Sequence, residues 1–398
     1  MLSQLSEKVH VPVMSGRVVA FFTGLIVYAL IGSPTPDTIG LGEVIIAVLL
    51  LPALSIPKLA DLPAAAGAVL LYGLSVPLLT GIVAGHDPGS ILRDLVPFLF
   101  LLLPVFYLPL LKAHPTGMVT VLAVVGFIFA VRALIPYQNV MSNPLLWFGR
   151  PPADLLYLAN SPEVLFAALL LLGGGGVLIW TGRAVLGGTA MVLAAIIPML
   201  AMAVMMQRAG LGCVALAASI WAGLGLWVRP ARMLPVAGIA ALILLPLTPY
   251  IGLLLGSLAY KTELVGLNSR GQEWAAVIDL AGNSLGSALF GLGWGTVFDN
   301  PAVGNLPVNY THSLISALFL KTGLCGTALV LVYLWTLAKQ AVPELFRRPI
   351  LVISLLAPLG IGLLLYASYK SLGFGLILLL LALVPAYRNL AQKPPDMA

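Results

Sequence analysis

The stretch Y-T-H-S-L-I-S, Tyr310–Ser316, places His312 where a polar segment gives way to an apolar run. It is one of four histidines in 398 residues. A neutral imidazole at the edge of an apolar phase can accept the proton of a hydroxyl group. A packing or capping role is the default for a lone histidine at a helix start, with Thr311 and Ser313 beside it as cap candidates. Two arginines raise a related question. Arg208, in Q-R-A-G-L-G, lies between two apolar runs with almost no polar loop to receive it. An arginine so placed needs a carboxylate, a phosphate or a water-filled cavity. Arg270 stands in N-S-R-G-Q-E-W-A-A-V-I-D-L-A, where Ser269 and Gln272 have capping-box spacing. The spacing puts Arg270 at the first helical position, beside the partial positive charge of a helix N-terminus. An anion such as phosphate between guanidinium and free N–H groups would make that placement favourable. The alternative is a solvated arginine, or one paired with Glu273 or Asp279.

Other residues nearby bear on the same chemistry. Trp274, Val277, Ile278 and Ala281 share one face, which predicts a short amphipathic helix on the bilayer or over a helical bundle. Lys321 follows His312 on the same predicted helix, near the same end. Lys370, in Y-K-S-L-G-F-G, reads as a loop anchor or a second phosphate contact. In L-F-G-L-G-W-G-T, Gly291, Gly293 and Gly295 permit a backbone path that approaches a ligand or another helix. The spacing is not that of a dinucleotide-binding loop. No local Cys/His cluster offers metal ligands, and Cys213 and Cys325 lie inside apolar runs as packing residues.

The elements that must hold these residues are set by composition. The chain is 60% hydrophobic and 9% charged, against about 25% charged in soluble domains. Lipid must be much of its solvent, so the expected fold is all-α: one polytopic bundle over residues 1–398. Apolar runs bounded by charge, Pro and Gly predict about twelve spans: 18–32, 39–56, 64–84, 94–111, 117–136, 164–181, 184–206, 209–228, 233–258, 313–338, 350–369 and 373–387. Pro97 and Pro104 predict a break in the fourth. Met1 to Gly16 is polar and mixed, unlike a cleaved secretory leader.

With both termini cytoplasmic, twelve of the twenty Lys and Arg residues fall inside, in accord with the positive-inside rule. Ten of the fourteen acids then fall outside or near outer helix ends. The net charge of +6 reports this topology and not nucleic-acid binding. The two long connections, about 137–163 and 259–312, lie on the outer side. Basic residues there oppose the topological bias, and an anionic ligand or a network with the outer acids would account for them.

The order Q-R-A-G-L-G, R-G-Q-E-W, F-G-L-G-W-G and Y-T-H-S-L-I-S-A-L-F-L-K-T-G-L-C-G resembles the O-antigen ligase and O-antigen polymerase family over roughly Val204 to Gly326. The family's usual His-Asn is His312-Ser313 here. The resemblance implies a GT-C-type bundle with part of its active site in a periplasmic loop, 259–312. It implies a metal-independent, inverting glycosyltransferase of the bacterial inner membrane, with no cofactor. The donor would be a glycan on undecaprenyl pyrophosphate. The acceptor would be lipid A-core for a ligase, or another glycan repeat for a polymerase. Arg208 and Arg270 would hold the pyrophosphate and His312 would act on the acceptor hydroxyl. Lys321, Trp274 and Lys370 complete the expected substrate-binding set. A multispan transporter, with Glu43 and Arg132 as coupling charges, and a non-catalytic envelope scaffold are the readings from other classes.

Overall fold

In a computed structural model the structure describes residues 14–34, 40–136, 157–228, 248–265 and 269–387, together with 230, 231, 234 and 245. Helices dominate: α1 (Gly16–Ile31), α2 (Leu41–Leu50), α3 (Ala64–Val83), α4 (Pro88–Leu101), α5 (Leu103–Leu111), α6 (Pro115–Leu134), α7 (Pro162–Thr181), α8 (Val185–Val204), α9 (Arg208–Val228) and α10 (Thr248–Val265). Then come α11 (Arg270–Ala281), α12 (Leu285–Phe290), a short hairpin of β1 (Phe298–Asn300) and β2 (Leu306–Val308), α13 (Leu314–Leu345), α14 (Pro349–Leu364) and α15 (Leu372–Leu383).

Among the described residues seven helices are long and apolar enough to cross a membrane, counting Pro88–Leu111 as one. Four more apolar helices, including α14 and α15, are shorter. Eleven of the twelve expected spans therefore correspond to a helix. Half of the span expected at 233–258 lies outside the described residues, together with the termini and most of the 137–163 connection. The loop expected from 259 starts later, because α10 runs on to Val265.

The bundle is built around α15. All twelve of its residues are buried, which a helix apolar on every side requires. It packs against α4, α5, α6, α7, α13 and α14. The predicted break in the fourth span occurs at Leu102, between α4 and α5. Pro104 has no N–H to give the Phe100 carbonyl, and Gly375 of α15 packs closely on that carbonyl.

A second break lies in α13, at Gly323 (φ 65, ψ −170). The carbonyls it frees are all used. Leu292 N–H donates to Leu320 O (2.9 Å), Gly293 N–H to Lys321 O (3.0 Å) and the Tyr72 hydroxyl to Thr322 O (2.8 Å). The same loop mends α3. Pro77 leaves the Gly73 carbonyl without a helical donor, and the Trp294 indole N–H donates to it at 2.8 Å. Gly291, Gly293 and Gly295 all take positive φ, and a Cβ on Gly293 would collide with the backbone at Gly81. The glycine-rich stretch thus approaches helices α3 and α13, the second of the two expected roles.

Candidate active site

Three elements bring the sequence candidates together. Ser313 caps α13, its hydroxyl accepting from Ser316 N–H at 3.1 Å. That leaves His312 outside the helix with no capping duty. Its backbone N–H donates to Glu273 Oε1 (2.9 Å), and its ring Nδ1 is 3.2 Å from both Glu273 oxygens. A carboxylate at Nδ1 holds the proton there and leaves Nε2 as the acceptor. The Tyr310 ring meets the imidazole edge to face, with centroids 5.6 Å apart.

Glu273 belongs to the buried face of α11, with Val277 and Ala281, and is 2% exposed. Asn300, at the end of β1, donates to its Oε1 at 2.8 Å. The hairpin that reads in sequence only as a turn-rich segment therefore fixes the carboxylate that fixes the histidine. Burial raises the Glu273 pKa, opposed by the Asn300 hydrogen bond and by Arg270. Burial lowers the Arg270 pKa; Glu273 opposes this shift, while Arg208 adds to it through like-charge repulsion.

Both arginines follow a strained turn. Met206 (φ 54) separates α8 from Arg208, and Ser269 (φ 52) immediately precedes Arg270. Left-handed backbone at non-glycine residues costs energy and concentrates at functional sites. The strain at Ser269 also corrects the capping-box expectation: its side chain makes no cap hydrogen bond. Of the two alternatives for Arg270, pairing with Glu273 is present but loose, with Nη1 3.7 Å from Oε2.

Arg208, Arg270 and His312 line one cavity of about 610 Å³, together with Ser161, Gln207 and Tyr366. Its wall also carries three buried polar atoms without a hydrogen-bond partner among the described residues: Arg270 Nη1, Gln207 Nε2 and Ser368 Oγ. Buried polar groups are nearly always satisfied. Unsatisfied ones converging on a cavity of small-molecule size mark a place for a polar ligand.

The other expected substrate contacts lie elsewhere. Lys321 is buried in an ion pair with Asp94 and donates to Asn309 O at 2.5 Å. Its ammonium borders a separate space of about 30 Å³, too small for a sugar. Lys370 borders the same space, with Nζ 3.4 Å from Asn309 Oδ1 and 5.2 Å from the Tyr310 ring centroid. Burial, then the Lys321 charge, push its pKa down to about 7. Lys370 therefore backs the wall that carries His312 and does not line the cavity. Trp274 is half-buried on α11, away from the cavity lining, and Ile278, expected on the inner face, is 51% exposed. The inner face is the one through Glu273, because that acid is committed to His312 and Asn300.

In sequence, Glu273 reads only as a partner of Arg270, three residues before it. Ser161, Gln207, Asn300, Tyr366 and Ser368 carried no signal of their own. Among the described residues no group of three or more His, Cys, Asp and Glu side chains gathers as metal ligands would.

Fold and site together define a helical membrane protein with a cavity in whose largely apolar lining two arginines and a histidine stand. Comparison with protein-family models, with curated proteins and with solved structures finds no match to the chain.

Proposed function

We propose that the protein is a glycosyltransferase of the bacterial inner membrane, with both termini cytoplasmic and the cavity facing the periplasm. It moves a glycan from undecaprenyl pyrophosphate to an acceptor hydroxyl, and lipid A-core is the proposed acceptor, as for an O-antigen ligase. The observation that carries the reading is the meeting of Arg208, Arg270 and His312, distant in sequence, on one cavity wall, where Arg270 Nη1 has a loose ion pair with Glu273 and no hydrogen-bond partner among the described residues.

Pyrophosphate is a good leaving group, so the protein must chiefly position substrates and stabilise charge. Arg208 and Arg270 bind the pyrophosphate oxygens. The acceptor hydroxyl gives its proton to His312 Nε2 as its oxygen bonds to the anomeric carbon. The bond from that carbon to the phosphate oxygen breaks, and its electron pair leaves with the pyrophosphate. Attack opposite the leaving group inverts the anomeric centre. Glu273 holds the imidazole in the required tautomer and stabilises its charged form.

A repeat-unit polymerase would use the same groups with a different acceptor. The transporter reading is weakened by the two charges it would use. The Glu43 carboxylate accepts from Gly40 N–H (2.9 Å) as a helix cap. Arg132 donates to the Ala29 and Gly32 carbonyls (2.7 and 2.9 Å) at the end of α1. Both charges are engaged at helix ends, where a coupling site would need them free to change partners.

The test is transfer from a purified undecaprenyl-pyrophosphate oligosaccharide, offering lipid A-core and free repeat units separately. We expect glycosylated lipid A-core, with the rate lower by about a hundredfold or more in His312→Ala. Lengthened glycan alone would assign a polymerase. No transfer to either acceptor would refute the reading, and a normal rate in His312→Ala would remove His312 from the chemistry.

A further inference from the structure

Ser161 lies on the wall of the same cavity and is 3% exposed. It occupies the N-cap position of α7, where a serine ordinarily accepts a backbone N–H. Its side chain makes no such bond. The hydroxyl instead donates to Oε2 of Glu163. Glu163 is fully enclosed, at 0% exposure. Two other helices make room for it: a Cβ on Gly373 of α15 would collide with its carboxyl group, and a Cβ on Gly126 of α6 with its carbonyl oxygen. The Tyr28 hydroxyl of α1 also faces the Glu163 carboxyl group, and no ion pair reaches Glu163 among the described residues.

A serine hydroxyl whose proton goes to the Glu163 carboxyl group keeps two lone pairs. In this arrangement Ser161 meets the cavity as an acceptor. It offers nothing to a phosphate oxygen, which has no proton to give. Its ligand must be a donor. Arg208 and Arg270 on the same cavity are the reverse, donors without an acceptor atom. The cavity is therefore chemically polarised, with an anion-binding part and a hydroxyl-binding part.

We propose that Ser161, oriented by Glu163, is a hydroxyl-recognising subsite that takes a sugar hydroxyl of the glycan while the arginines take the anion. The proposal rests on the glycan-transfer reading and adds a direction to it: the substrate lies in the cavity with its sugar toward Ser161. Ser161 determines specificity in this scheme, and Glu163 is its positioning residue.

Binding by the full-length protein in lipid nanodiscs tests the subsite with two probes. One is the oligosaccharide released from its carrier, free of lipid and phosphate. The other is undecaprenyl pyrophosphate without sugar. Ser161→Ala is expected to weaken the oligosaccharide by about tenfold, the effect of one lost hydrogen bond, and to leave the bare carrier within about twofold. Its thermal midpoint should fall, because buried Glu163 Oε2 loses its donor, so both probes are compared per folded molecule. Arg270→Ala should show the opposite pattern, losing the carrier and keeping the sugar. Glu163→Gln, where it folds, should reproduce the Ser161→Ala loss; full sugar binding there would remove Glu163 from the subsite. Equal oligosaccharide binding by wild type and Ser161→Ala overturns the proposal. So does a wild type that does not bind the oligosaccharide, or an equal loss of both probes in Ser161→Ala. Failure of wild type to bind the carrier, with the oligosaccharide arm behaving as expected, would overturn the pyrophosphate-donor reading and leave the hydroxyl subsite standing.

Discussion

Two polar regions lie in this bundle, and they differ in how their hydrogen bonds end. In the region around Trp294, every group exposed by a helix break meets a partner. The Gly73 carbonyl takes the indole N–H, the carbonyls of Leu320, Lys321 and Thr322 take donors, and Asp94 joins Lys321 and the Gly295 N–H (2.7 Å). In the cavity the reverse holds. Arg270 Nη1, Gln207 Nε2 and Ser368 Oγ find no hydrogen-bond partner among the described residues, and two turns carry left-handed non-glycine backbone. Burying a polar group without a partner costs roughly 1–3 kcal/mol. Asn309 Nδ2 is the exception in the first region, whereas the cavity gathers three such atoms around one space large enough for a ligand. Charge does not separate the two regions, since both hold cations; the unsatisfied atoms gathered around one space do.

The largest effect that sharpens this contrast should come from the satisfied region. Asp94→Ala leaves Lys321 buried without its partner, which costs about 3–5 kcal/mol. We expect most of the protein to be lost on size exclusion, while molecules that fold retain their transfer rate. Asp94→Leu combined with Lys321→Met should restore much of the stability, since a well-packed apolar pair replaces a buried ion pair at little cost. A rate collapse in the folded double variant would return Lys321 to the substrate site.

In the open region the effects should invert. Arg270→Lys is expected to lower transfer by about tenfold to a hundredfold with little change in the amount of folded protein, because one ammonium cannot replace a bidentate fork. Full activity would remove Arg270 from the mechanism. Glu273→Gln should separate stability from activity. Burial raises the Glu273 pKa in the folded state, so its favourable contribution is present at low pH and is lost as pH rises through the folded pKa. A glutamine has no charge to desolvate. The variant should therefore match or exceed the wild-type thermal midpoint, with a margin that grows with pH, while transfer falls for want of a carboxylate at His312 Nδ1. A midpoint that drops increasingly as pH rises would contradict this. Trp274→Ala should have the smallest effect, about twofold or less in rate, since the ring stands away from the cavity. A larger loss would place it against substrate after all.

Much of the fold was legible because lipid imposes a simple grammar of apolar runs, and the break near Pro104 followed from a missing N–H. The central place of α15 was less visible: a short apolar run reads alike whether it meets lipid or other helices. The site was half legible. Arg208, Arg270 and His312 stood out because charges are sparse in this chain, and the sequence order pointed to them jointly. Lys321 stood out for the same reason, but its carboxylate partner, Asp94, could not be foreseen because it comes from a helix far back in the chain. Asn300 and Ser161 were silent, since a polar residue in a loop gains meaning only from what folding sets beside it. Gly293 and Gly323 signalled close approach, and only the structure told helix from ligand.

The most direct test of the central claim is a structure of the full-length protein with undecaprenyl pyrophosphate bound. The account predicts the pyrophosphate in the cavity, with oxygens within about 3 Å of the guanidinium groups of Arg208 and Arg270. Pyrophosphate bound at Lys321 and Lys370, or on the outer surface with the arginine cavity empty, would contradict it.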